Sequence, residues 1–171
     1  MNLSRFHCSL LLVAVAVFAQ EKEYKPKEEK LPGPPVAQPI AYSHKTHVAM
    51  GMKCTNCHTM PGDGFAATFP KETMCMGCHT TVKKESPEIQ KLAAFAAKKE
   101  PVPWVRIYRV PDIVWFNHAL HTKKNDCATC HGEVAQRPVL FQEKSTSMNT
   151  CMACHAEAGA PNGCDVCHAS Q

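Results

Sequence analysis

Little in this sequence can build a conventional hydrophobic core. Aromatic residues make up 7%, with only 2 Trp and 3 Tyr, while 13 of the 171 residues are Pro. A chain of this length, read as one domain or two small modules, ordinarily leans on more buried rings, so something besides side chains has to supply interior surface. No apolar run reaches the ~20 residues of a membrane-spanning helix, and the longest, residues 10–19, is about half of that. Neither sign of charge dominates, with 19 Lys and Arg against 15 Asp and Glu, which gives no support to nucleic-acid binding. Spare cysteine is also missing. Of 11 cysteines only Cys8 stands outside a C-x-x-C pair, so no thiol of the exported chain is left for a structural disulfide.

What the sequence does contain is one repeated pattern. Residues 115–131 join the pair His118 and His121 to Cys127-Ala128-Thr129-Cys130-His131. The string C-x-x-C-H occurs five times: Cys54/Cys57/His58, Cys75/Cys78/His79, Cys127/Cys130/His131, Cys151/Cys154/His155 and Cys164/Cys167/His168. It is the attachment signature of c-type haem, in which two thiols close thioethers on the porphyrin and the adjacent His reaches the iron. Five covalently bound c-type haems are therefore expected, and they would supply the missing core. A disulfide framework does not require His after every second Cys, and with 10 His in 171 residues five such placements by chance come to roughly one in a million. Zinc sites consume C-x-x-C pairs two at a time, and five identical triplets do not divide that way. A thioredoxin-like redox pair needs a βαβ context, which is missing.

Residues 1–19 read as a secretory signal peptide, with Arg5 before the apolar run and small residues ahead of Gln20. Residues 20–40 alternate charge and then cluster Pro32, Pro34, Pro35 and Pro39, the composition of a flexible, partly extended tether. Residues 41–85 form a two-haem module. Its opening, Tyr42-Ser43-His44-Lys45-Thr46-His47, matches Phe116-Asn117-His118-Ala119-Leu120-His121 in form, which makes the chain an internal duplication. Residues 86–103 read as a connecting helix and linker: Ser86 at the N-cap, Pro87 and Glu88 in the first turn, Ile89, Leu92, Ala93 and Ala96 on one stripe, Lys98 and Lys99 at the end. Residues 104–171 hold a three-haem module, preceded by a β-rich stretch, 104–110 and 113–116 around Pro111-Asp112, that predicts a short hairpin. The expected fold is mostly irregular, with short α-helices and this small β-hairpin around a haem-packed core.

His58, His79, His131, His155 and His168 are the expected proximal ligands. Setting these and His7 aside leaves four histidines, all in the two H-x-x-H pairs, so His44, His47, His118 and His121 are the expected distal ligands. Four distal histidines for five irons leave one haem without a His, and Met60 and Met148 are the candidate thioether substitutes; a five-coordinate iron is the other option. Charge changes with the cofactor: loss of Arg5 and gain of ionised propionates turn the formal +4 into roughly −2 ferric or −7 ferrous, so the basic sequence pI is a poor guide to partners.

The H-x-x-H pairs ahead of clustered C-x-x-C-H motifs resemble the class III multihaem cytochromes c and their three-haem relatives. That resemblance implies that the first His of a pair ligates the haem of the next motif and the second a later one: His44 with His58, His118 with His131, His121 with His168. The two-module plan, with residues 104–112 leading into Phe116-Asn117-His118, looks like the pentahaem cytochrome c subunit of alternative complex III. The implied function is electron transfer, not catalysis, in the periplasm or at the outer face of the cytoplasmic membrane. Redox proteins, including a quinol-oxidising membrane complex, are the implied partners, with no nucleic acid and no small-molecule substrate. A multihaem oxyanion reductase acting at the haem without a distal His, and a membrane-anchored quinol dehydrogenase suggested by Cys54-Thr55-Asn56-Cys57-His58-Thr59-Met60, are the competing readings.

Overall fold

The computed structural model describes residues 30–168, so the signal peptide at 1–19 and the first half of the tether lie outside the described residues. Helices are short: α1 (His44–Ala49), α2 (Cys54–Cys57), α3 (Glu72–His79), α4 (Pro87–Lys98), α5 (His118–His121), α6 (Cys127–His131), a 3-10 turn (Val134–Gln136), α7 (Met148–Glu157) and α8 (Cys164–Cys167). The longest, α4, has the ends its sequence dictates. Pro87 sits in the first turn, where its missing N–H costs nothing, and Lys99 closes the helix in the left-handed region at φ 57°. The Ser86 hydroxyl makes no capping bond, and it is the Ser86 carbonyl that accepts from Gln90 N at 2.9 Å.

The apolar stripe of α4 packs on α3 and forms the centre of the small protein core. Ile40, Leu92 and Val102 are the buried apolar residues, flanked by half-buried Ile89, Phe95, Met76 and Trp104. No side chain among the described residues is fully buried. Such a core is too small to order a domain of this length without a cofactor in the interior.

Residues 104–116 do not form the expected hairpin. Among the described residues the only β pairing is an isolated antiparallel bridge between Val114 and His168. Trp115 N donates to Cys167 O at 2.7 Å, while Val105 N turns instead to the Gln38 side chain at 2.9 Å. Pro103 and Pro111 remove ladder donors, and a lone two-stranded hairpin is marginal in water, so each half takes a distant partner. The Pro-rich segment behaves similarly. It lies extended against the second module, with Gly33 N on Gln142 O at 2.8 Å and Val36 N on Leu140 O at 3.0 Å. Among the described residues no helix is long and apolar enough to cross a membrane.

Candidate functional site

Each C-x-x-C-H motif is wound into a helical turn. The first, third and fifth coincide with α2, α6 and α8; the second ends α3 and the fourth lies inside α7. Cysteines three apart share one side of a turn, and the next residue, His, projects beside them. None of the ten cysteines of these motifs is paired in a disulfide. Cys78 and Cys154 are exposed, as are Cys54, Cys127, Cys130, Cys151 and Cys164, while Cys57, Cys75 and Cys167 are half-buried.

The backbones of these turns are held in place, the Cys78 carbonyl accepting from Val82 N and the Cys154 carbonyl from Ala158 N, both at 2.9 Å. The buried apolar residues Ile40, Leu92 and Val102 are few, and a porphyrin attached at each turn would supply the packing that the exposed sulfurs lack.

Partial burial, helped by a neighbouring thiol, pushes Cys75, Cys130 and Cys151 up, the neighbour of Cys130 being Cys154, and partial burial with Cys54 alongside does the same to Cys127. Among the described residues no three His, Cys, Asp or Glu side chains converge as a metal cage.

The histidines are prepared as ligands in a specific way. Seven of them direct Nδ1 at a backbone carbonyl: His47 to Ser43 at 2.9 Å, His58 to Thr68 at 2.8 Å, His79 to Val82 at 2.9 Å, His118 to Phe65 at 2.9 Å, His121 to Asn117 at 2.8 Å, His155 to Pro161 at 2.7 Å and His168 to Ile113 at 3.0 Å. A carbonyl can only accept, so Nδ1 carries the proton and the Nε2 lone pair is left free, which is the tautomer a metal-bound imidazole needs. His44 differs, because its Nδ1 is buried with no partner. Burial, then His58 and His47, push its imidazolium down to about 4, so the ring is neutral at physiological pH.

The rings also stand in pairs. His44 and His58 have centroids 6.3 Å apart, His47 and His79 6.2 Å, and His121 and His155 6.0 Å. With a metal–imidazole bond of about 2 Å and about 1.1 Å more to the ring centre, two rings bound across one ion stand about 6.3 Å apart. Three pairs therefore have the separation an intervening iron requires. His131 has Tyr108 edge-on at 4.7 Å, and burial, then His118 and His58, push its imidazolium down. His121 thus faces His155, whereas the resemblance implies that it serves the haem of His168. His155 and Asn162 tie the loop before α8 back onto α7, while His168 rests on residues 113–114.

Apolar space adjoins the motifs. A cavity of about 620 Å³ opens beside Cys57 between Phe69, Pro70 and Met74, and Trp115, next to the fifth motif, is 62% exposed. Flat apolar walls beside paired thiols fit a porphyrin face, so the donor set and its surroundings both fit c-type haem. The Met60 sulfur lies 4.0 Å from Thr122 Oγ1, whereas Met148, at the start of α7, is 62% exposed.

The duplicated aromatic clamps both distal rings of its helix. Tyr42 stacks on His47 at 4.4 Å and meets His44 edge-on at 4.8 Å; Phe116 lies over His121 at 4.3 Å and meets His118 edge-on at 4.7 Å. The small polar residue is the N-cap: Ser43 accepts from Thr46 N and Asn117 from Leu120 N. Tyr108 is a site residue that sequence reasoning misses. Its hydroxyl donates to His131 O at 3.0 Å and accepts from Glu143 N at 2.9 Å, and no motif marks it.

Two family descriptions match the chain in succession: "Cytochrome c7 and related cytochrome c" over residues 40–99 and "Class III cytochrome C family" over residues 93–162. The chain is also 32% identical, over 160 aligned residues covering 77% of it and 76% of the relative, to the multihaem cytochrome c subunit of menaquinone reductase from Nitratidesulfovibrio vulgaris. With its C-x-x-C-H turns, paired imidazoles and this similarity, the chain belongs to the class III-type multihaem c-type cytochromes, which carry electrons and are not catalysts.

Proposed function

We propose that this chain is a periplasmic pentahaem cytochrome that passes electrons between a quinone-linked membrane complex and further redox carriers. The observation that carries the reading is the set of three imidazole pairs at 6.0–6.3 Å, each joining an H-x-x-H histidine to a C-x-x-C-H histidine. On this basis His44 and His58 hold the first haem, His47 and His79 the second, His121 and His155 the fourth. His118 and His131 remain for the third, and His168 holds the fifth without a histidine opposite. The printed name of the N. vulgaris relative supports the quinone link, and the resemblance to the alternative complex III subunit points the same way.

A six-coordinate haem iron supplies one-electron storage when bound. The chain's own work is to fix the imidazoles. Carbonyls set the Nδ1–H tautomer, Tyr42 and Phe116 hold ring planes, and the thiols, Cys78 and Cys154 among them, anchor each site covalently. The test is the mass of the holoprotein together with its paramagnetic resonance and carbon monoxide response. Five haems, at least four of them low-spin and unreactive to carbon monoxide, are expected. Fewer haems, or two or more reactive irons, would defeat the assignment. Carbon monoxide uptake confined to the His168 haem would favour a substrate-binding site there.

A further inference from the structure

The motifs follow one another along the chain, but the structure does not set them side by side in that order. Helix α1 joins the first and second, since His44 faces His58 at 6.3 Å and His47 faces His79 at 6.2 Å from one turn. The loop after the first motif carries α5. Asn117 Nδ2 donates to Asp63 O at 2.8 Å, Ala119 N to Gly64 O at 3.0 Å and His118 Nδ1 to Phe65 O at 2.9 Å. Helix α5 then links the third motif to the fourth: Asn125 N, just ahead of α6, donates to His121 O at 3.0 Å, and the His121 ring stands 6.0 Å from His155. The loop leading to the fifth is fastened to the fourth. Asn162 Nδ2 donates to Met152 O at 2.9 Å, and His155 Nδ1 to Pro161 O at 2.7 Å.

We propose that the five attachment sites form an unbranched row in the order second, first, third, fourth, fifth, with the His79 and His168 sites at its ends. This rests on the five-haem reading above. The ends differ in charge: Lys71, Lys83 and the ion pair Lys84–Glu85 are exposed around the second motif, whereas residues 145–168 carry Glu157 and Asp165 and no Lys or Arg. The two ends therefore offer unlike surfaces to their redox partners. One contact pulls against an open row. Trp115 bonds Cys167 O at 2.7 Å while its ring meets Phe65, after the first motif, at 6.1 Å.

Proton NMR of the holoprotein, reduced under carbon monoxide so that every haem is diamagnetic, tests the row, with each haem assigned through its own C-x-x-C-H residues. Through-space cross-peaks are expected between the second and first haems, first and third, third and fourth, and fourth and fifth, with none between other pairs. A cross-peak from the fifth haem to the first, from the second to the third, or a consecutive pair lacking one, overturns the order. Failure of the five-haem reading shows separately, as a holoprotein mass short of five haems.

Discussion

The two H-x-x-H turns are copies that have kept their local mechanics and changed their surroundings. In both, an aromatic ring lies over the second histidine, a capping side chain starts the turn, and the second histidine donates to the carbonyl four residues back. The first histidine separates them. His118 Nδ1 is bonded across the molecule to Phe65 O, whereas His44 Nδ1 is buried without a partner. A hydrogen bond to Nδ1 raises ligand basicity, so the two copies present imidazoles of different donor strength to the sites of the first and third motifs. Duplication preserved what one turn can hold and left the longer-range bond free to diverge.

The largest expected effect distinguishes the two turns by which haem each disturbs. His47→Ala should convert the second haem, and His121→Ala the fourth, from low-spin to carbon monoxide-reactive, each about one-fifth of the low-spin signal. Change in the fifth haem after His121→Ala would restore the pairing implied by resemblance.

Next comes the contact between modules. Gly64, at φ 75°, would drive a methyl into Ala119 of α5, whereas Gly62, at φ 60°, faces open space. Gly64→Ala should cost about 2–3 kcal/mol and Gly62→Ala about 1 kcal/mol in holoprotein unfolding, because only the first adds a clash to the left-handed strain. Equal costs would show that docking of α5 on this loop contributes nothing.

A finer comparison removes each cap. Ser43→Ala and Asn117→Ala should each lower stability by roughly 1 kcal/mol, and by similar amounts if the turns are equivalent. The smallest effect is a pH dependence at the connecting helix. Lys91, and then the Ala41 amide, hold the Glu88 carboxyl below its usual 4.5. A depressed folded pKa means stability present above the unfolded value and lost as pH falls through the folded one. Glu88→Gln should therefore flatten the acid limb of a stability–pH curve, and an unchanged limb would remove Glu88 from that role.

The five attachment turns, the connecting helix 87–98 and the two distal turns are legible in sequence because their signals lie within one helical turn. Cys and His at adjacent helical positions, Pro at a first turn and Ser or Asn at a cap act on neighbours that the backbone already brings close. The missing hairpin has the converse cause. Its β-rich residues are visible, but their partners, Cys167 and Gln38, lie far away in the chain. Tyr108 escapes because a phenol that bonds a carbonyl 23 residues on leaves no local pattern.

By itself, then, the sequence supplies the five C-x-x-C-H strings and the two H-x-x-H pairs, the residue types and spacings that thioether and imidazole chemistry needs. Tertiary structure alone decided which imidazole faces which. His121 meets His155 at 6.0 Å, with α5 seated on the loop at residues 63–65 and the loop before α8 tied back onto α7. That choice depends on packing between segments that covalent geometry leaves independent.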